Sequence, residues 1–317
     1  MSYKTPWVGY LNLTMAQSVI GVNAVIGKYL ADKVPLFIFI FSRFCIGSVI
    51  LLLFFKCAKE TILIPQDANS PQDNKLTSKE WMWLIAQALT GGLLFNLLFF
   101  SGLSYTTASS AGIISSTLPA MIAICAWVFL KENLSLRKIA AILLAGGGIL
   151  IISLDNGGLA TDSGQGSYLG DGLILLAMFP EALFSIFGRL IGKRIRPLAS
   201  AAIVTTICWL TTIPFGIYDF AVQESYGLSL WHGVLIFFSG ASTVIFYYCC
   251  NKGLAVVQAG ISAIFGSLFP VSATILAWLF LDERLGTYDF IGMMVILSSI
   301  VVGAELSQEG GNKVYST

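Results

Sequence analysis

A segment of 24 residues occurs twice in this chain, and that repetition constrains the fold more than anything else in the sequence. Residues 111–134 contain Ser115-Ser116-Thr117-Leu118-Pro119 and end in Trp127-Val128-Phe129-Leu130-Lys131-Glu132-Asn133-Leu134. Shifted by 151 positions, residues 262–285 contain Gly266-Ser267-Leu268-Phe269-Pro270 and end in Trp278-Leu279-Phe280-Leu281-Asp282-Glu283-Arg284-Leu285. Ten of the 24 positions are identical, including the Pro, the Trp and the Glu. Apolar composition alone would give roughly two or three. Each copy reads as an apolar helix with a proline near its middle and a charged end, which suggests a transporter built from two related halves.

The rest of the chain agrees with a membrane setting. Of 317 residues 56% are hydrophobic and only 11% charged, too little charge to cover a soluble surface. The apolar windows are about 20 residues long, enough at about 1.5 Å per residue to cross a hydrocarbon core of about 30 Å. No room is left for a separate soluble domain. The net charge of +1 points to no nucleic-acid partner. Six cysteines lie in or beside apolar runs and read as small buried hydrophobes. One histidine, His232, and the lack of a Cys-x-x-Cys pattern suggest no metal and no cofactor. The apolar run from Trp7 is too long for a signal peptide and lacks a clean small-residue cleavage site.

Hydropathy predicts ten spans: 7–28, 36–56, 82–103, 108–130, 136–154, 170–190, 199–219, 231–251, 258–281 and 286–305. Residues 58–80 are expected as a flexible loop. A linker, 155–169, separates a first five-helix repeat, 1–154, from a second, 170–317. With ten alternating spans, 14 Lys and Arg residues fall on the side of the N-terminus and three on the other. The richer side is the cytoplasmic one, so both termini are expected there. Five helices per half is an odd number, so the halves enter the membrane in opposite directions. The expected fold is therefore all-α and integral to the membrane, with ten transmembrane helices as two inverted five-helix repeats, an arrangement that favours alternating access.

Ser42-Arg43-Phe44 in the second span and the two Pro…Trp…Glu…Leu segments carry a resemblance. The chain resembles a ten-helix, EamA-type member of the drug/metabolite transporter superfamily over residues 7–305. One departure is Ile20-Gly21, where such first helices usually carry Trp-Gly. The resemblance implies transport, placement in the bacterial inner membrane, and a monomer or homodimer. It leaves the substrate open among amino acids, sugar derivatives, nucleotides and drugs.

Ionisable groups at membrane depth are costly and are the first candidates for function. Glu181 lies about 16 Å into the sixth span, eight residues before Arg189. Small multidrug-resistance proteins of the same superfamily place a proton-coupling Glu at similar spacing in their first helix, and the resemblance implies that role for Glu181. A neutral carboxyl bonded to a neighbouring helix beside Pro180 is the alternative. Arg43, about 10 Å below the outer face, suits a substrate carboxylate or phosphate, or else snorkels or ties a neighbouring helix. Asn23, Asn96, Ser115 and Ser116 share its depth, and Tyr247 is the repeat partner of Asn96 in a second layer. These are expected to line a cavity, although Ser and Asn also bond helices together, and Tyr247, Tyr248 and Asn251 also suit an interfacial belt. Pro119 and Pro270 are expected to mark matching helix breaks.

The sequence thus predicts a secondary carrier for small metabolites, amino-acid-like or related organic solutes, coupled to protons through Glu181. The alternatives are an uncoupled facilitator or exchanger, and an integral-membrane enzyme. An enzyme would need a cluster of His, Asp or Glu at one face, and no ATP-binding loop supports a pump.

Overall fold

The computed structural model describes residues 6–30, 33–64, 75–103, 105, 114–115, 117–132, 135–155, 167–222, 229–280 and 286–314. These form α1 (Pro6–Leu30), α2 (Leu36–Ala58), α3 (Ser78–Gln87), a π-helical stretch (Ala88–Leu94) and α4 (Phe95–Leu103). Then come α5 (Leu118–Leu130), α6 (Leu136–Asp155), α7 (Ser167–Ile191) and α8 (Pro197–Val222). The last four are α9 (Leu230–Val256), α10 (Ala259–Gly266), α11 (Leu268–Phe280) and α12 (Thr287–Val314). Among the described residues, six stretches are long and apolar enough to cross a membrane: Leu36–Ala58, Ser78–Phe99, Tyr168–Ile191, Pro197–Val222, Leu230–Val256 and Ala259–Phe280. The chain is an all-helical integral membrane protein. Helix is what such a sequence must form, because hydrocarbon offers no partner for an unpaired backbone group.

Several boundaries differ from the hydropathy reading for identifiable reasons. The third helix starts at Ser78, four residues early, because Thr77 and Glu80 form a capping box: Thr77 N donates to Glu80 Oε2 at 2.8 Å, and Glu80 N to Thr77 Oγ1 at 3.4 Å. The last helix continues to Val314, past the apolar run. Described parts of the 58–80 loop are fastened rather than free. Ile64 N donates to Arg194 O (2.8 Å), Arg196 N donates to Ile62 O (2.9 Å), and Arg194 Nε lies 3.1 Å from Glu80 Oε1. At the opposite end of α2, Phe37 N donates to Asp219 Oδ2 of α8 at 3.1 Å. The antiparallel pair α2–α8 is therefore held at both ends. Most of the linker (156–166) and residues 106–113 lie outside the described residues.

The core lies where α2, α3, α8 and α9 meet. Phe44, Ile40, Leu51, Leu84, Ile195, Cys208 and Tyr247 are buried there in one cluster. α1 packs against α9 and α11, α4 against α7, and α6 against α12. Close approach sets the α7–α9 crossing: a Cβ on Gly192 would lie 2.6 Å from Ala255 Cα, a main-chain atom that cannot rotate away. Gly192→Ala is accordingly expected to destabilise the protein by about 1–3 kcal/mol, the usual penalty for overpacking. Thermal unfolding of the purified protein in detergent reads this; an unchanged midpoint would show that the helices separate freely.

Candidate functional site

The site is built around the π-helical stretch in the third span. A π-turn carries i→i+5 hydrogen bonds, and its carbonyl groups can also accept from a side chain. Asn96, one turn beyond, takes two of them: its Nδ2 donates to Gly92 O at 2.7 Å and to Gly91 O at 3.3 Å. The two glycines let the stretch press against α7 and α8, since a Cβ on Gly91 would lie 2.5 Å from Phe184, and one on Gly92 would collide with Cys208. Cys208 Sγ in turn donates to Ala88 O at 3.6 Å.

Fixing its amide in this way leaves Asn96 Oδ1 pointing at α2, where it accepts from Arg43 Nη2 at 3.5 Å. Arg43 therefore turns inward instead of snorkelling to the surface. Phe44 and Phe39 place their rings 5.0 and 5.8 Å from the guanidinium carbon, so cation–π contact replaces part of the lost hydration. Arg43 Nε is buried with no hydrogen-bond partner among the described residues. The result is a cation held by an amide and two rings, a poor match for a full charge in a membrane interior.

Tyr247 of α9 joins the same cluster. Its ring lies 6.1 Å from Phe44, 6.0 Å from Phe184 and 5.2 Å from Phe246, and its hydroxyl is 3.8 Å from Cys208 Sγ. Tyr247 is buried at 4% exposure, and Asn251 at 2%, so neither belongs to an interfacial belt. The structure also brings Tyr247 beside Arg43 and Asn96 rather than leaving them in two separate layers. Tyr247 is also within electrostatic reach of Glu181.

Glu181 is half-buried on α7. Ile174, Ala177, Phe184 and Gly188, spaced seven, four, three and seven residues away, share its helix face and are buried, while Leu175, Leu176 and Phe179 face outward. Glu181 thus points into the protein and not into lipid. Below it on the same side, Gln87 Nε2 donates to Asn251 Oδ1 (3.1 Å), and Asn251 Nδ2 donates to Tyr247 O (2.9 Å).

The other sequence candidates stand apart from this cluster. Asn23 is buried, and its Oδ1 accepts from Ser239 Oγ, tying α1 to α9. Ser115 is half-buried just before the turn at Thr117. Ser116 lies outside the described residues. Pro119 is the second residue of α5 and is buried. Pro270 is the third residue of α11, after a turn at Ser267 that separates α10 from α11. Both prolines sit in the first turn of a helix, where the missing N–H costs nothing. Gln87 and Cys208 were not legible as site residues. Gln87 is a lone amide in an apolar run, and only folding shows that it meets Asn251. A groove of about 330 Å³ between α6 and α12, lined by Leu144, Phe290 and Met294 among others, shares no residue with the cluster.

Comparison with known proteins places this arrangement. An uncharacterized transporter of Bacillus subtilis, YetK, is 31% identical over 296 residues, covering 92% of this chain and 86% of that protein. An uncharacterized transporter of Methanothermobacter thermautotrophicus is 21% identical over 302 residues, covering 93% and 85%. A crystal structure of a protein 15% identical in sequence covers 96% of this chain and 97% of its own, with a TM-score of 0.74, and so shares the fold. The profile of the EamA-like transporter family matches residues 7–154 and again 168–303. The chain belongs to the EamA-like transporter family.

Proposed function

We propose that this transporter is a secondary carrier for small organic solutes of amino-acid-like type, working by alternating access and exchanging a proton at Glu181 for substrate. The observation that carries the reading is that Tyr247 packs both on Phe44, next to Arg43 on α2, and on Phe184, three residues from Glu181 on α7. Arg43, with a buried Nε that no group among the described residues takes, suits a carboxylate or similar anionic group of the solute. Glu181 suits the amine when ionised and a proton when the site is empty, since a bare carboxylate at that depth is disfavoured. Phe44, Phe184 and Tyr247 supply an apolar wall between them. Counterflow in proteoliposomes tests this: preloaded unlabelled amino acids should draw in the labelled solute transiently above equilibrium. Absence of counterflow across amino acids and related organic solutes would reject the reading.

The topology belongs to the same proposal: ten crossings in two inverted halves, with both termini cytoplasmic, as the 14-to-three division of basic residues supports. Cysteines placed at Ser2 and Ser316 are expected to resist a membrane-impermeant thiol reagent in intact cells. Labelling of either would contradict the count of ten.

A further inference from the structure

Outside the central cluster, three helices converge on one tight junction. α9 ends at Val256 and α10 begins at Ala259, so only Val257 and Gln258 connect them. The carbonyl end of α9 is gripped by Arg189 of α7, whose Nη1 donates to Leu254 O (3.0 Å) and Ala255 O (2.7 Å). The N–H end of α10 is gripped from the first half of the chain: Glu132 Oε1 accepts from Ala259 N (3.1 Å) and Oε2 from Gly260 N (3.2 Å). Lys138 Nζ holds the junction itself, donating to Gln258 Oε1 at 2.6 Å. Arg189 and Lys138 are both within electrostatic reach of Glu132.

The main chain is bent to make this clasp. Lys131 follows α5 in the left-handed region, at φ 55°, one of two non-glycine residues with positive φ among the described residues. That conformation costs on the order of 1 kcal/mol for a side chain such as Lys. It turns the chain sharply enough for Glu132 to reach α10. Behind the clasp lies a small apolar seam, Ile122, Cys125 and Ala126 of α5 against Ala259 and Ala263 of α10 and Ala182 and Ile186 of α7. The clasp lies at the end of the molecule that the basic residues mark as cytoplasmic.

We infer that Glu132 is a gate residue, whose two bonds to the α10 N-terminus hold the cytoplasmic end closed and must break before the site opens inward. The inference rests on the alternating-access reading but not on the substrate or on proton coupling. The clasp joins the two halves of the chain at the broken helix α10–α11, the place where one half moving against the other would part them. A carboxylate on two helix N–H groups is strong enough to bias such an equilibrium and is single-sited enough to release.

The seam supplies a native reporter. Cys125 is 3% exposed behind the clasp, while Cys57 is exposed at the cytoplasmic end of α2. Inside-out vesicles would be treated with an impermeant methanethiosulfonate reagent, and labelling of each cysteine followed by peptide mass spectrometry. In Glu132→Gln, which keeps one acceptor oxygen, and in Glu132→Ala, Cys125 is expected to react faster, by about tenfold in the Ala variant, with Cys57 unchanged. Should the Ala variant fail to accumulate, Glu132→Asp, too short to reach both N–H groups, gives the same comparison with the charge kept. Unchanged Cys125 rates in the Gln and Asp variants, with only a lower unfolding temperature, would show a plain helix cap and overturn the gate. No transported solute enters this measurement, so loss of proton coupling at Glu181 would leave its result standing.

Discussion

Glu181→Gln is expected to abolish accumulation driven by a pH gradient while leaving solute exchange intact. With one proton exchanged per solute, a gradient of one pH unit sustains at most about a tenfold solute gradient, because one unit corresponds to about 1.36 kcal/mol. Gln matches Glu in shape and retains hydrogen bonding, but it cannot titrate. The variant should therefore equilibrate its solute at any imposed pH gradient, with normal amounts of protein in the membrane. Uptake into proteoliposomes at equal and unequal pH checks both halves of this statement. Wild-type accumulation in the variant would make Glu181 a packing residue and the protein an uncoupled facilitator or exchanger.

The second large effect concerns the bond between Asn96 and Arg43. If Arg43 only ties α2 to α4, then Asn96→Asp replaces a 3.5 Å contact to an amide oxygen with a charge-assisted pair, gives up the amide's bonds to Gly91 O and Gly92 O, and leaves the affinity for solute as it was. If Arg43 waits for an anionic group of the solute, the same change gives it a permanent counter-charge and shuts the solute out. The account here predicts the second outcome. A lost charge-assisted bond is worth about 1.5–3 kcal/mol, so KM should rise by about 10- to 100-fold. Unchanged KM in a variant that still folds would assign Arg43 to structure alone. KM in a folded variant thus separates the two readings, whereas deletion of Arg43 would remove the tie and the binding group together.

Much of the fold was legible because a membrane leaves few choices: an apolar run of about 20 residues must be a helix, and breaks between runs must be connections. What one dimension hides is the change within a run. The π-helical stretch lies in an unbroken apolar segment, and nothing in its hydropathy separates seven π-helical residues from α-helix. Its trace is a difference in length between repeats. Asn96 follows the N-cap Thr77 by 19 positions, whereas its counterpart Tyr247 follows the N-cap Ser229 by 18, and α9 is regular helix between them. One extra residue is what a π-turn absorbs.

The site shows the same division. Arg43, Glu181, Asn96 and Tyr247 stand out in sequence because polar groups at membrane depth are rare and costly. Their partners do not stand out. Gln87 and Asn251 are 164 positions apart, and Cys208 resembles every other buried cysteine until Tyr247 is set beside it. Glu132 was visible as half of a repeated motif, but its duty depends on Ala259 and Gly260, more than 120 positions away. Depth counted along a helix axis also misplaced Tyr247 in a second layer, because it ignores the reach of long side chains across the core.

The central claim, that solute held near Arg43 exchanges for a proton at Glu181, is tested most directly by proton movement itself. Proteoliposomes would be loaded with a pH-sensitive dye and given, on the outside, the solute identified by counterflow. The account predicts that solute entering wild-type vesicles alkalinises the lumen as protons leave in exchange, and that Glu181→Gln vesicles take up solute to equilibrium with no pH change. Solute entry without luminal alkalinisation in the wild type, or the same alkalinisation in the variant, would contradict it.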